Sequence, residues 1–123
     1  EADQCQVVLR QVQTEGIINF KRASADLDDR SHATLDQVAK VMSSCRAAQI
    51  EIQGHTDAEG TPERNANLSN RRARAVADYL IRAGVEPARL TAAGYGAEVP
   101  VAPNDTSENR AKNRRIEFEV KLN

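Results

Sequence analysis

Between Thr61 and Gly84 the chain carries the start and stop signals of one long helix. Thr61 is a candidate N-cap, Pro62 fits the first helical position, Glu63 suits the positive end of the helix dipole, and Gly84 ends the run. A helix is therefore predicted over residues 61–83. At steps of about 100° per residue, Leu68, Ala75, Val76, Tyr79, Leu80 and Ala83 gather in one apolar arc, and Arg71, Arg74, Asp78 and Arg82 gather opposite it. Arg72 and Asn65 fall inside the apolar arc. Arg71 and Arg74 need only a solvated face. A guanidinium aimed at a core must find an anion or a wet cleft, because an unpaired buried charge is strongly unfavourable.

The nearest anion in sequence is Asp57, which closes the run Gly54-His55-Thr56-Asp57 at the end of the preceding predicted strand. The carboxyl ends of sheet strands open onto crevices that bind ligands. Two readings follow. Asp57 and Arg72 either neutralise each other as an internal ion pair, or flank a cleft and take the opposite charges of a zwitterionic ligand.

The rest of the 123 residues bounds the answer. The length fits one domain with one core. Seventeen basic and eighteen acidic residues leave a net charge of −1, which with four aromatics argues against nucleic acid as a partner. No apolar run of about 18 residues is present, so no membrane insertion by this domain is expected. The chain opens Glu1-Ala2-Asp3 without a signal-peptide pattern, as an excised domain or a processed product does. Cys5 and Cys45 have neither metal-ligand nor redox-motif spacing; they are two buried thiols or one disulfide.

In chain order, Ala2, Cys5, Val8, Leu9 and Val12 share a helical face, giving a first helix over residues 1–16 that packs on the domain of residues 17–123. Ile17, Ile18, Asn19 and Phe20 read as a first strand, followed by a polar loop. Ser31 is read as the cap of a helix whose buried face carries Leu35, Val38, Ala39, Met42 and Cys45. Residues 50–53 alternate as a second strand, and residues 90–95 form a third, broken by Gly94 and Gly96. A short helix is expected over Ser107–Asn113. Ile116, Phe118, Val120 and Leu122 then alternate with Glu117, Glu119 and Lys121 as a fourth strand with one wet face. The expected fold is α/β (α+β): a βαβαβ(α)β mixed four-stranded sheet with helices mainly on one face, plus the N-terminal helix.

Catalysis finds little support. His55, Asp57 and His32 match no zinc motif, so no metal is expected; Gly94 and Gly96 form no phosphate loop, so no cofactor is expected. Ser69 lacks a nucleophile elbow and is read as a surface helix residue.

Four ordered motifs, Gly54-His55-Thr56-Asp57-x-x-Gly60, Asn65-x-x-Leu68-Ser69-x-x-Arg72-Ala73, Gly94-Tyr95-Gly96 and Asn113-Arg114-Arg115, together resemble the OmpA-like C-terminal domain. That family includes outer-membrane porin tails, the peptidoglycan-associated lipoprotein and flagellar stator proteins. The resemblance implies a non-enzymatic, periplasmic module, part of a membrane-anchored envelope protein, that grips peptidoglycan through the meso-diaminopimelate of its stem peptide. By position it implies Asp57 as the ligand-binding acid and Arg72 as the ligand-binding arginine, with Leu68, Asn65, Thr56, Phe20 and Arg110 around them. Asn113 is read as structural, fixing the start of the last strand. The chain departs from many relatives after Phe20, where Lys21 and Arg22 replace an acidic or small polar residue. The periplasmic compartment in turn implies a Cys5–Cys45 disulfide between the first helix and the end of the second.

Overall fold

The computed structural model describes residues 2–16 and 18–121; Ile17 and Leu122, both expected in strands, lie outside them. In chain order the elements are α1 (Ala2–Glu15), α2 (Ser31–Ser44), β1 (Gln49–His55), α3 (Pro62–Arg82), a 3-10 turn (Pro87–Arg89), β2 (Leu90–Gly94), α4 (Ser107–Asn113) and β3 (Arg115–Lys121). The sheet runs β2-β1-β3, with β1 parallel to β2 and antiparallel to β3. The fold is therefore α+β with a mixed sheet.

Period-two alternation decides which sheet face is covered. Ile50, Ile52, Ile116 and Phe118 are buried in one core with Leu9 of α1, Leu35, Val38 and Met42 of α2, and Ala73, Val76 and Leu80 of α3. Each of these side chains larger than Ala73 contributes about 1.5–3 kcal/mol by leaving water. Glu51, Gln53, Glu117 and Glu119 alternate with them, and Gln53 Nε2 donates to both Glu51 (2.7 Å) and Glu119 (2.9 Å). An open strand edge is a template for unwanted pairing. Here α1 lies along β3: Gln6 donates to the Phe118 carbonyl (2.8 Å) and accepts from the Val120 N–H (2.7 Å), and Gln13 accepts from the Phe118 N–H (3.3 Å). A Cys5–Cys45 disulfide, with Cα atoms 6.1 Å apart, ties α1 to the end of α2.

Two local expectations differ from the structure. The sheet has three strands among the described residues, and residues 18–20 do not join it; Phe20 makes only an isolated bridge with Leu27. The reason is that the backbone here is already engaged. The Asn19 N–H donates to the Ser31 hydroxyl (2.7 Å), its carbonyl accepts from that hydroxyl (3.0 Å), and the Lys21 N–H donates to the Asp26 carbonyl (2.8 Å). The same contacts explain why Ser31 does not cap α2. The cap position is Arg30, which makes no side-chain cap bond, and Ser31 is buried against Asn19.

Candidate functional site

The site is set by where α3 touches the sheet. Gly54 of β1 pairs with Gly94 of β2, leaving a bare patch on the covered face. A Cβ on Gly54 would lie 2.2 Å from the Ser69 carbonyl oxygen, and one on Gly94 would lie 2.4 Å from the Asn70 nitrogen. Only two adjacent glycines allow the helix backbone to rest there. Ser69 is accordingly fully buried, not a surface residue as expected; its hydroxyl donates to the Ala66 carbonyl (3.0 Å) and accepts from the Gly96 N–H (2.9 Å).

This contact also turns the helix relative to the apolar arc read from the sequence. The buried stripe is Asn65, Ser69, Ala73, Val76, Ala77 and Leu80, while Leu68, Arg72, Ala75 and Tyr79 form a half-buried flank and Ala83 is exposed. Arg72 is thus not driven into the core. It is half-buried on that flank, and its side chain, like any on a helix, leans toward the N-terminus. The helix ends as its signals require: the Thr61 hydroxyl accepts from the Arg64 N–H (3.2 Å), and Gly84 takes φ of +109°.

Asp57 follows β1 directly and is buried, its side chain 8% exposed. Its Oδ1 accepts from the Glu59 N–H (2.9 Å), and its Oδ2 accepts from Arg114 Nη1 (2.6 Å). Asn65 Nδ2 donates to the Asp57 carbonyl (3.4 Å), and buried Thr56 is fixed through its N–H on the Gly96 carbonyl (2.9 Å). Among the described residues the ion pair of Asp57 is with Arg114, and none is formed with Arg72. Arg72 Nε donates to the Ser24 carbonyl (2.8 Å), and its guanidinium lies 4.9 Å from the Phe20 ring centroid, a cation–π contact. Its two terminal nitrogens have no hydrogen-bond partner among the described residues. Burial pulls the Arg72 guanidinium below its ordinary range; the charges of Arg114 and Arg71 push the same way, and Asp57 opposes them.

The sequence-derived residues therefore fall into three groups. Asp57, Thr56 and Asn65 are buried and meet at the Asp57 carbonyl, Arg72 lies against Phe20 with Leu68 half-buried on the same helix flank, and Arg110 pairs with Glu59 (3.6 Å). Lys21 and Arg22 are exposed. Asn113, read as fixing the start of the last strand, is fully buried with its side chain on the 101–104 loop. It accepts from the Val101 (2.8 Å) and Ala102 (3.0 Å) N–H groups and donates to Asn104 Oδ1 (3.0 Å), which also accepts from the Ala58 N–H (3.2 Å). That chain of bonds holds the loop after Asp57.

Arg114 entered the sequence reading within the Asn113-Arg114-Arg115 motif but was given no role there. The signal lies in parity: Arg114 continues the inward set of Ile116 and Phe118. Since Gly54 pairs with Ile116 and His55 with Arg115, one more step of that register brings Arg114 opposite Thr56, next to Asp57.

The pattern of the OmpA family matches residues 19–114, which include Phe20, Asp57, Asn65, Arg72, Arg110 and Arg114. The chain belongs to the OmpA family. Outer membrane porin F of Pseudomonas aeruginosa is 39% identical over 121 residues, 98% of this chain and 35% of the porin. Peptidoglycan-binding protein ArfA of Mycobacterium tuberculosis is 40% identical over 107 residues, 87% of this chain and 33% of ArfA. The OmpA-family chain thus spans about a third of the length of these two relatives. The crystal structure of the peptidoglycan-associated lipoprotein from Burkholderia pseudomallei superposes on it with a TM-score of 0.78 at 36% identity, covering 85% of this chain and 88% of that one.

Proposed function

We propose that this OmpA-family domain is a non-catalytic module that grips peptidoglycan and so holds an envelope protein to the cell wall from the periplasmic side. Its ligand is the side-chain end of meso-diaminopimelate in the stem peptide, where an ammonium and a carboxylate share one carbon. Asp57 accepts from the ammonium and Arg72 forks onto the carboxylate, with Phe20 and Leu68 flanking the aliphatic chain. The observation that carries this reading is the state of Arg72. It is half-buried, lies against the Phe20 ring and, among the described residues, is bonded only through Nε, which leaves both terminal nitrogens for a ligand. Membership of the family, and the names of ArfA and the peptidoglycan-associated lipoprotein, support the same class of ligand. The rival reading, an internal Asp57–Arg72 ion pair, lacks its contact among the described residues.

The test is calorimetric titration of wild type, Asp57→Ala and Arg72→Ala with diaminopimelate-type and lysine-type muropeptides, each protein checked for folding by circular dichroism. A lysine-type peptide offers the ammonium without the carboxylate and should bind more weakly by about 2–4 kcal/mol, the scale for losing one partner of a desolvated charge-assisted pair. Both variants should fold and lose a similar amount. Folded variants that bind like wild type, or a wild type that treats both peptides alike, would refute the assignment.

A further inference from the structure

We propose that Arg114 forms a second carboxylate subsite next to Asp57, so that the domain reads an acid group of the stem peptide beyond the one on the diaminopimelate side-chain end. The inference rests on the wall-binding reading above and extends it.

Charge comes first. Around the one carboxylate of Asp57 stand two guanidiniums, Arg114 bonded to it (2.6 Å) and Arg72 within electrostatic reach, while Arg110 is matched by Glu59. A zwitterionic ligand end leaves that surplus positive charge unmatched. A ligand with one further carboxylate matches it.

Geometry places the surplus. Arg114 gives Nη1 to Asp57, yet its side chain is 45% exposed, and its Nε and Nη2 have no hydrogen-bond partner among the described residues. The same side chain lines a cleft of about 220 Å³ together with Gln13, Asn19 and Arg115, and Asp57 is not part of that lining. Arg115 has little left to give, being bonded to the Asn113 carbonyl (3.1 Å), the Val99 carbonyl (2.9 Å) and Glu117. Gln13 accepts from the Phe118 N–H through its oxygen, which leaves its NH2 group as a donor. Arg114 thus joins two spaces, holding the acid of one and presenting a cationic fork to the other. A planar fork with paired free donors suits a carboxylate. A diaminopimelate stem peptide carries two such groups away from the side-chain end: the free carboxylate of its glutamyl residue and that at its chain terminus.

The test uses the tripeptide L-alanyl-γ-D-glutamyl-meso-diaminopimelate in three forms: fully ionised, amidated at the glutamyl carboxyl, and amidated at the terminal carboxyl. An amide there removes the charge but keeps the shape. Wild type should bind one of the two amidated forms about ten-fold more weakly than the ionised form, the scale of one charge-assisted pair, and which one identifies the group. Arg114→Gln should abolish that difference, so the coupling between residue and ligand group is read directly as in a double-mutant cycle. Arg114→Lys, which keeps the charge without the fork, should retain part of it. If Arg114 only positions Asp57, Arg114→Gln weakens all three peptides equally and the subsite is refuted. If wild type binds all three alike, the subsite is refuted even without a variant, while wall binding stands. If wild type binds none of them, the wall-binding reading falls and the subsite with it.

Discussion

Strand β1 begins and ends beside an arginine, and the two are held in opposite ways. At its start, Arg89 is buried, with Nε donating to the Ala48 carbonyl (3.1 Å) and Nη2 to the Cys45 carbonyl (2.7 Å). The Cys45 carbonyl lies at the C-cap of α2, the end of a helix that favours a cation, and the Ala48 carbonyl immediately precedes β1. At its far end, Arg72 gives one bond to a loop carbonyl, rests on Phe20 and keeps its terminal nitrogens free of described partners, although Asp57 lies within electrostatic reach. Burial alone does not distinguish a brace from a ligand contact. What distinguishes them is whether the fork is filled by the protein's own carbonyls, and whether the neighbouring carboxylate already has another partner.

If the start of β1 is the structural end, stability should concentrate there. Replacing Cys5 and Cys45 together by Ser opens a loop with a sequence separation of 40 and should lower unfolding free energy by about 4 kcal/mol in the chain-entropy model. Urea titration measures this, and the fraction that remains folded should bind muropeptide as wild type does. Next in size is Arg89→Met, which takes its side-chain donor from the Ala48 carbonyl and one of two donors from the Cys45 carbonyl, which keeps the Ala48 N–H (2.9 Å), and should cost about 1–3 kcal/mol of stability with no specific binding loss. Arg72→Met should change stability by less than about 1 kcal/mol, since its one bond goes to a loop carbonyl and the side chain is half-buried. The same substitution should remove most of the binding. Equal stability losses for the two arginines would erase the distinction.

Only the Arg72 end of this comparison was legible in the sequence, since nothing there marked Arg89 as a brace. The limits of α3 were written in Thr61, Pro62 and Gly84, because capping is local chemistry. The rotation of α3 was not, since it depends on Gly54 and Gly94 meeting across two strands that lie far apart in the chain. Asp57 and Arg72 were selected as a pair by the helical arc, yet the ionic partner of Asp57 is Arg114, which is recognisable only once β3 is known to run antiparallel to β1. The strand expected at residues 17–20 had the right composition, but Ser31 holds the backbone of Asn19, and no propensity scale registers a side chain twelve positions away.

A smaller effect should sharpen the comparison at the ligand end. Thr61→Ala removes the acceptor for the Arg64 N–H and should lower stability by about 1 kcal/mol. Because Asn65 and Leu68 follow within two turns, a frayed start to α3 loosens the crevice. Muropeptide affinity should therefore fall slightly along with stability, whereas Arg89→Met should leave it unchanged.

The smallest effect concerns pH and should also arise only at this end. His55 is buried and stacks on Tyr95 with ring centroids 5.3 Å apart; its Nε2 donates to Gln53 Oε1 (3.2 Å) in the neutral tautomer that leaves Nδ1 bare. Among the described residues Nδ1 has no partner, so a second ring proton would meet no acceptor. Burial lowers the imidazole below its ordinary value of 6.5, Arg115 pushes the same way, and Glu117 and Glu51 oppose. Between the folded and unfolded values the unfolded chain binds more protons, so stability is complete above about 6.5 and declines as pH falls through the folded value. Asp28, lowered from 3.8 chiefly by its bond to the Arg30 backbone, acts only at more acid pH. His55→Phe keeps the stacking on Tyr95 and removes the titration. Chemical denaturation at pH 7.5 and pH 5 should then show a smaller acid loss for His55→Phe than for wild type, and an equal loss in both would show that the buried imidazole does not set the pH response.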